Sequence, residues 1–152
     1  MNADEALRVS CRCGLACVLA AAALLGVAAC AAGPAVLDAH GLWRVDQAQS
    51  EPILDRRHAR IDFGTEGRLT GHTSCHPMTA HYTLDGSQLK IGPVSLTTQA
   101  RCGELQLQQE DRILTALENV VSARVRDDGL LELRDADGRG LLRGTRFAPE
   151  GK

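Results

Sequence analysis

The chain has 152 residues, of which 44% are hydrophobic and 24% are charged, and its formal net charge is −2. This composition is typical of one soluble globular domain. A nearly neutral chain lacks the basic face that non-specific nucleic-acid binding needs. One Trp, one Tyr and two Phe are also too few for a surface that stacks bases. We therefore expect no nucleic-acid partner.

The first 29 residues predict a signal peptide rather than a part of the folded domain. Arg8 and Arg12 form a weak basic region, and residues 14–29 are apolar without a charge and end in small residues. The sequence Leu-Gly-Val-Ala-Ala-Cys at residues 25–30 resembles the bacterial lipobox. We therefore expect residues 1–29 to be removed as a lipoprotein signal peptide.

The lipobox implies that Cys30 is lipidated and becomes the first residue of the mature protein. Residues 30–36 would then be the lipidated N-terminus and a short tether, and the acyl chains would bind the membrane. The alternatives are an ordinary cleaved signal peptide and an uncleaved membrane helix, although the apolar run is short for a span of about 20 residues. Ala31 replaces the Asp that tends to retain lipoproteins at the inner membrane. The resemblance therefore implies the outer membrane, with the domain facing the periplasm.

Residues 37–147 predict a single α+β domain, and residues 148–152 predict a tail. Trp43 is expected to anchor the core, and Asp85-Gly86-Ser87 predicts a hairpin because Gly accepts positive φ. Local connections favour antiparallel pairing. Alternating apolar residues and turn signals predict about eight short strands. The candidate segments are the nine near residues 42–45, 58–63, 68–71, 80–84, 88–91, 94–97, 123–126, 130–133 and 141–143.

A helix is predicted over residues 106–121, with the sheet curved around it. Its expected apolar stripe consists of Leu107, Leu114, Leu117 and Val121, with Ile113 and Val120 beside it. Polar residues that include Gln109 are expected to face water. Glu110 lies nearer the stripe, and we expect it to form a hydrogen bond at the buried edge.

Cys75 and Cys102 are the only cysteines after Cys30. In an oxidising compartment such a pair predicts one disulfide. Closing this loop contributes about 3–4 kcal/mol on the chain-entropy account. The alternative is two buried free thiols, which behave as small apolar side chains.

Three histidines lie within six positions of Cys75 in the sequence, and they raise the alternative of metal binding. Thiolate and imidazole ligands suit zinc or copper, but the spacing matches no recognised zinc pattern, and a disulfide would consume Cys75. The alternative site is therefore His72, His76 and His81, unless these are solvated loop residues. A Cys75–His76 nucleophile is disfavoured because neighbours in an extended segment point to opposite faces. We predict no catalytic residue and no cofactor.

The order of these features resembles the META domain (HslJ-like) family. A Trp-bearing strand at residues 42–45 is followed by Gly71, a Ser-Cys-His loop at 74–76, Tyr82, and Thr98 to Cys102. The Glu-bearing helix with Ala116-Leu117, then Leu131-Glu132-Leu133 and Asp137-Gly138, complete the pattern. This chain departs from it where Ser74 replaces Gly, His76 replaces Asn, and Ala100-Arg101 replaces Met-Ala. The resemblance implies a stress-related or envelope-integrity role without an enzymatic site, and hence an unidentified envelope protein as partner.

Overall fold

The computed structural model describes residues 39–97 and 101–147. The predicted signal peptide, the lipidation site Cys30, the tether and the tail lie outside the described residues. The described strands are β1 (Gly41–Ala48), β2 (Glu51–Pro52), β3 (Arg60–Phe63), β4 (Arg68–His72), β5 (Pro77–Asp85), β6 (Gln88–Ile91), β7 (Ser95–Leu96), β8 (Ser122–Val125), β9 (Leu130–Arg134) and β10 (Gly140–Arg146), and α1 is Glu104–Asn119.

Eight of these strands close into an antiparallel barrel. Their order is β1-β3-β4-β5-β6-β8-β9-β10, and β10 pairs back onto β1. Closure is possible because β1 is eight residues long and pairs along both edges: Gly41–Arg44 with β3, and Trp43–Ala48 with β10. The prediction of an antiparallel α+β fold with one helix is confirmed. The expected sheet curved around the helix is instead a barrel closed on itself, which leaves these eight strands without an open edge.

The interior of the barrel is filled by the inward side chains of alternating strand residues. Trp43 is fully buried, as predicted, and its indole N–H donates to the Ala39 carbonyl at 2.8 Å. Phe63 and Tyr82 meet edge to face with ring centroids 5.1 Å apart, and the Tyr82 hydroxyl donates to the Gly64 carbonyl at 2.7 Å. The aromatic residues are few, and these three are used to fill the core.

Gly71 of β4 lies where two strands and a core side chain approach closely. A Cβ at this position would lie 2.4 Å from the Arg60 carbonyl oxygen and 2.5 Å from the Met78 Cε atom. No real Cβ atom tolerates such distances from a backbone oxygen, so this position needs glycine.

Helix α1 begins and ends two residues earlier than predicted and buries a different face. The chain leaves the helix after Asn119 because Val120 is extended, and the Val121 N–H donates to the Arg134 carbonyl at 2.9 Å. Leu107 and Val121 are 46% and 39% exposed, so their assignment to the apolar stripe was wrong. The buried helical residues are Gln109, Glu110, Ile113, Ala116 and Leu117.

The helix packs on β1 and β10 and contacts the loops that precede β3 and follow β4. Ile113, Ala116 and Leu117 join the barrel core. Gln109 and Glu110, one turn nearer the helix start, face the two loops. Within residues 39–97 and 101–147, no helix is long and apolar enough to cross a membrane.

Candidate functional site

The predicted disulfide forms. It joins Cys75, in the loop after β4, to Cys102, which lies two residues before the start of α1. The Cα atoms of Cys75 and Cys102 are 5.8 Å apart, and 27 positions separate them in sequence. Cys75 is buried, whereas Cys102 is half-buried. The bond therefore ties the start of the helix to one end of the barrel, with one sulfur nearer to solvent than the other.

Thr73 organises the loop that carries Cys75. Its hydroxyl accepts the backbone N–H groups of Cys75 at 3.2 Å and of His76 at 3.0 Å. The same hydroxyl donates to the Glu110 carboxylate in a short hydrogen bond. Thr73 is fully buried. One side chain thus satisfies two loop donors and connects the loop to the helix, as Ser and Thr hydroxyls commonly do in turns.

Ser74 occupies a backbone conformation that favours glycine. Its φ is +86°, in the left-handed region, which is uncommon for a residue with a Cβ. Its side chain compensates, since its hydroxyl donates to the Asp55 carbonyl at 3.0 Å and accepts from the Gln109 amide at 2.7 Å. The positive φ explains why the family pattern has Gly before the Cys at this position. The two hydrogen bonds of the hydroxyl explain how a serine is accommodated there instead.

His76 lies between the disulfide and the helix. Its Nδ1 atom lies 3.0 and 3.1 Å from the two Glu110 carboxylate oxygens, and its Nε2 atom lies 3.5 Å from Cys75 Sγ. His76 and Glu110 are both 7% exposed. Because an ionised carboxylate only accepts hydrogen bonds, Nδ1 is the ring nitrogen that donates to Glu110, and Nε2 faces the Cys75 sulfur.

Two expectations about His76 were therefore wrong. It is not a solvated loop residue, and it does not point away from Cys75. The reason is that residues 73–76 form a bend rather than an extended strand, so that alternation does not apply. The expected hydrogen bond of Glu110 at the buried edge of the helix is confirmed.

Gln109 is the residue of this site that sequence reasoning missed. It was expected to face water, but it is 1% exposed. Its carbonyl oxygen accepts the Leu54 N–H at 2.8 Å, and its amide donates to Ser74 Oγ and, at 3.3 Å, to the Thr73 carbonyl. A signal was present, because Gln109 lies four residues before Ile113 and seven before Ala116, on the same helical face.

The three histidines of the alternative metal site lie in different surroundings. His81 is exposed on the outer face of β5, opposite Arg68. His72 is half-buried and its Nδ1 accepts the Ser74 N–H at 3.1 Å; burial, and next the Arg60 charge, lower its pKa. In the described part of the chain, the group with metal-ligand atoms within 4.8 Å of one another is instead Cys75, His76 and Cys102.

A second polar cluster, the Glu132 cluster, lies on the outer face of β8–β10 and was not predicted. It consists of Glu132 and three arginines: Arg124 at 2.7 Å, Arg134 at 2.8 Å and Arg143 at 3.5 Å from its carboxylate. Burial opposes ionisation of Glu132, but hydrogen bonds from Arg124 and Arg134 outweigh it and lower its pKa. The cluster lines a cleft of about 550 Å³.

Comparisons with known proteins agree with the described architecture. A family model described as "META domain" matches residues 36–146. No curated relative matches the chain. A protein from Burkholderia xenovorans, solved by NMR, is 20% identical, over 75% of this chain and 85% of that one, with a TM-score of 0.55. A DUF4847 family protein from Bacteroides vulgatus ATCC 8482 is 16% identical, over 74% of this chain and 96% of that one, with a TM-score of 0.52. At these identities the two structures indicate a shared fold alone.

Proposed function

This chain belongs to the META domain family, and from that premise we propose that it is a lipid-anchored, non-catalytic binding module of the bacterial cell envelope. The anchor would be Cys30, and the barrel would stand off the membrane on residues 31–36. The proposed location is the periplasmic face of the outer membrane. The partner would be another envelope protein, and the role would be to support envelope integrity under stress.

The observation that carries this proposal is the Cys75–Cys102 disulfide, in a chain whose residues 25–30 resemble a lipobox. Disulfides persist in the oxidising periplasm and are rare in the cytosol. The two features are independent, because one is a property of the fold and the other of the leader. Both support export.

The site geometry favours binding over catalysis in the oxidised protein. His76 and Glu110 have the arrangement of a base and its orienting group, but the adjacent sulfur is bonded to Cys102. A bonded sulfur is not a nucleophile, because the thiolate is the reactive species. The Glu132 cleft, in contrast, presents exposed guanidinium groups that suit an acidic partner group.

Metal binding by His72, His76 and His81 is the weaker candidate function. Of these three, only His76 belongs to a group of potential ligands among residues 39–97 and 101–147. His81 lies on the outer face of the barrel.

The anchor is tested by substitution of Cys30 in the source bacterium. We expect the wild-type protein to be in the membrane fraction and to carry the mass of lipid on Cys30. Cys30→Ala should lose the lipid and remain unprocessed, because the acylated cysteine is the residue at which the lipobox is cleaved. Cys17→Ala, which changes a cysteine within the leader, is the matched control and should behave as wild type. A mature wild-type protein that begins elsewhere, or that carries no lipid, would overturn the proposal.

The envelope role is tested by deletion and complementation. We expect deletion to increase outer-membrane permeability under stress, the wild-type gene to restore the barrier, and Cys30→Ala to fail to restore it. Unchanged permeability in the deletion strain under heat, detergent and osmotic stress would contradict the integrity role, whatever the state of the anchor.

A further inference from the structure

We propose that reduction of the Cys75–Cys102 disulfide converts this region into a tetrahedral metal site of the zinc type, with Cys75, Cys102 and His76 as ligands. This goes beyond the proposed envelope function, because it concerns the reduced domain and does not depend on the anchor. It also differs from a histidine-only site, since His72 and His81 take no part.

The first argument is the distance between the imidazole and the sulfur. In a tetrahedral site, a nitrogen about 2.0 Å from zinc and a sulfur about 2.3 Å from it lie about 3.5 Å apart. His76 Nε2 and Cys75 Sγ are 3.5 Å apart in the structure. The separation of these two atoms in the oxidised protein therefore already matches that of two ligands of one tetrahedral zinc ion.

The second argument is the position of the other sulfur. Two thiolates on one tetrahedral zinc ion lie about 3.7 Å apart, which requires the two sulfurs to separate once their bond is broken. The Cα atoms of the two cysteines are 5.8 Å apart, and Cys102 is half-buried at the start of the helix. Rotation of the Cys102 side chain can therefore open the pair on the side nearer to solvent, by which an ion would also enter.

The third argument is the support behind His76. A histidine that binds a metal usually donates its other ring N–H to a carboxylate, which fixes the ring and directs the ligand nitrogen. Here Nδ1 faces Glu110 at 3.0 Å, and Glu110 is itself held by the Thr73 hydroxyl. Glu110 is a positioning residue in this arrangement. A disulfide alone does not need such a group.

The chemistry balances with a dithiol as the reductant. The dithiol passes two electrons and two protons to the Cys75–Cys102 bond, which breaks into two thiols, while the dithiol becomes a disulfide. Zinc then displaces the two thiol protons and binds two thiolates and the neutral imidazole. The fourth position remains for water or for an outside ligand, as in sites with three protein ligands.

The experiment uses the full chain with Cys11→Ser, Cys13→Ser, Cys17→Ser and Cys30→Ser, so that Cys75 and Cys102 are its only cysteines. It is purified in detergent and studied in its oxidised form and after reduction by a water-soluble phosphine. The phosphine becomes its oxide, taking the oxygen from water, and leaves no competing dithiol. Metal binding is measured with Co²⁺, which reports thiolate ligands by its absorption, and with Zn²⁺ in competition with a chromophoric chelator. We expect one equivalent bound by the reduced chain and none by the oxidised chain.

Four variants separate this site from general thiol binding. Cys75→Ser with Cys102→Ser should abolish binding, and His76→Ala should weaken it at least about tenfold. Glu110→Ala should weaken it by about 10–100-fold, with partial recovery in Glu110→Gln, which keeps an acceptor for Nδ1. His81→Ala, which removes an exposed histidine, is the matched control and should leave affinity unchanged.

Three results would overturn the proposal. The first is a folded reduced chain that binds no stoichiometric metal. The second is equal affinity in the wild type and in His76→Ala. The third is a reduced chain that unfolds, as followed by circular dichroism, and does not refold on addition of equimolar Zn²⁺.

Discussion

Two glutamates are buried in the described part of the domain, and their surroundings are very different. Glu110, 7% exposed, lies between helix and loop, where His76 and Thr73 are its partners. Glu132, 3% exposed, lies on the outer face of the barrel under arginines that are themselves partly exposed. The first carboxylate is held by a buried hydrogen-bond network, and the second by the positive charges of arginines at the edge of water.

The two sites also differ in how the fold assembles them. Glu132 meets Arg124 and Arg143 because strand register places these residues directly opposite it on β8 and β10. Glu110 meets partners 34 and 37 positions away, and the disulfide ties their loop to the start of the helix. Sheet pairing therefore suffices for the Glu132 cluster, whereas the Glu110 network also relies on a covalent bond. Three predictions test this difference.

The largest expected effect is the loss of the disulfide. Cys75→Ala with Cys102→Ala should lower the free energy of unfolding by about 3–4 kcal/mol, because the denatured chain is no longer closed over the 27 positions between them. Urea unfolding with the oxidised wild type as reference measures this. Hydrogen exchange should rise at Thr73–His76 and at the helix start, and remain unchanged in β9. Equal loss of protection in β9 would contradict the assignment of the bond to the Glu110 side alone.

A smaller loss is expected from Gln109→Ala. This change leaves the Leu54 N–H and the Thr73 carbonyl without their buried partner, at a cost of about 1–3 kcal/mol. Gln108→Ala, at the exposed neighbouring position, is the matched control and should stay within about 0.5 kcal/mol of wild type. Thermal and urea unfolding of the two variants measure the difference. Equal stability of both would show that Gln109 does not connect the helix to the loops.

Much of the barrel could be predicted from sequence because its signals are local. Alternation predicted most of the strands near their observed positions, Asp85-Gly86 predicted its hairpin, and Trp43 was correctly assigned to the core. Closure could not be predicted in the same way. It depends on β1 pairing with β10, about a hundred positions later, and no local pattern encodes that contact.

The buried polar network was the least predictable part. The helix was read from its leucines, yet Leu107 is half-exposed and Gln109 is buried. Burial of a polar side chain costs free energy unless it finds hydrogen-bond partners. Here those partners belong to loops that are distant in sequence from the helix. For the same reason, the burial of His76 was not predicted, and it was expected to be a solvated loop residue. The cysteine pair itself was predicted, because compartment and count suffice for that inference.

The smallest expected effect is on the Glu132 cluster and depends on pH. The pKa of Glu132 in the folded protein is lowered from 4.5, so its contribution is complete above that value and is lost as pH falls through the lowered folded-state pKa. Glu132→Gln should therefore cost about 1 kcal/mol at pH 7, since the arginines are partly exposed and screened, and progressively less as the pH falls below 4.5.

Glu118→Gln, at an exposed helical position, makes the same change in net charge and should stay within about 0.5 kcal/mol of wild type at pH 7. Urea unfolding from about pH 3 to about pH 7, a range that spans the usual pKa of a glutamate, measures the difference. A cost for Glu132→Gln that is the same at both ends would mean that the side chain acts there by packing rather than by its charge, and the contrast between the two glutamates would then rest on Glu110 alone.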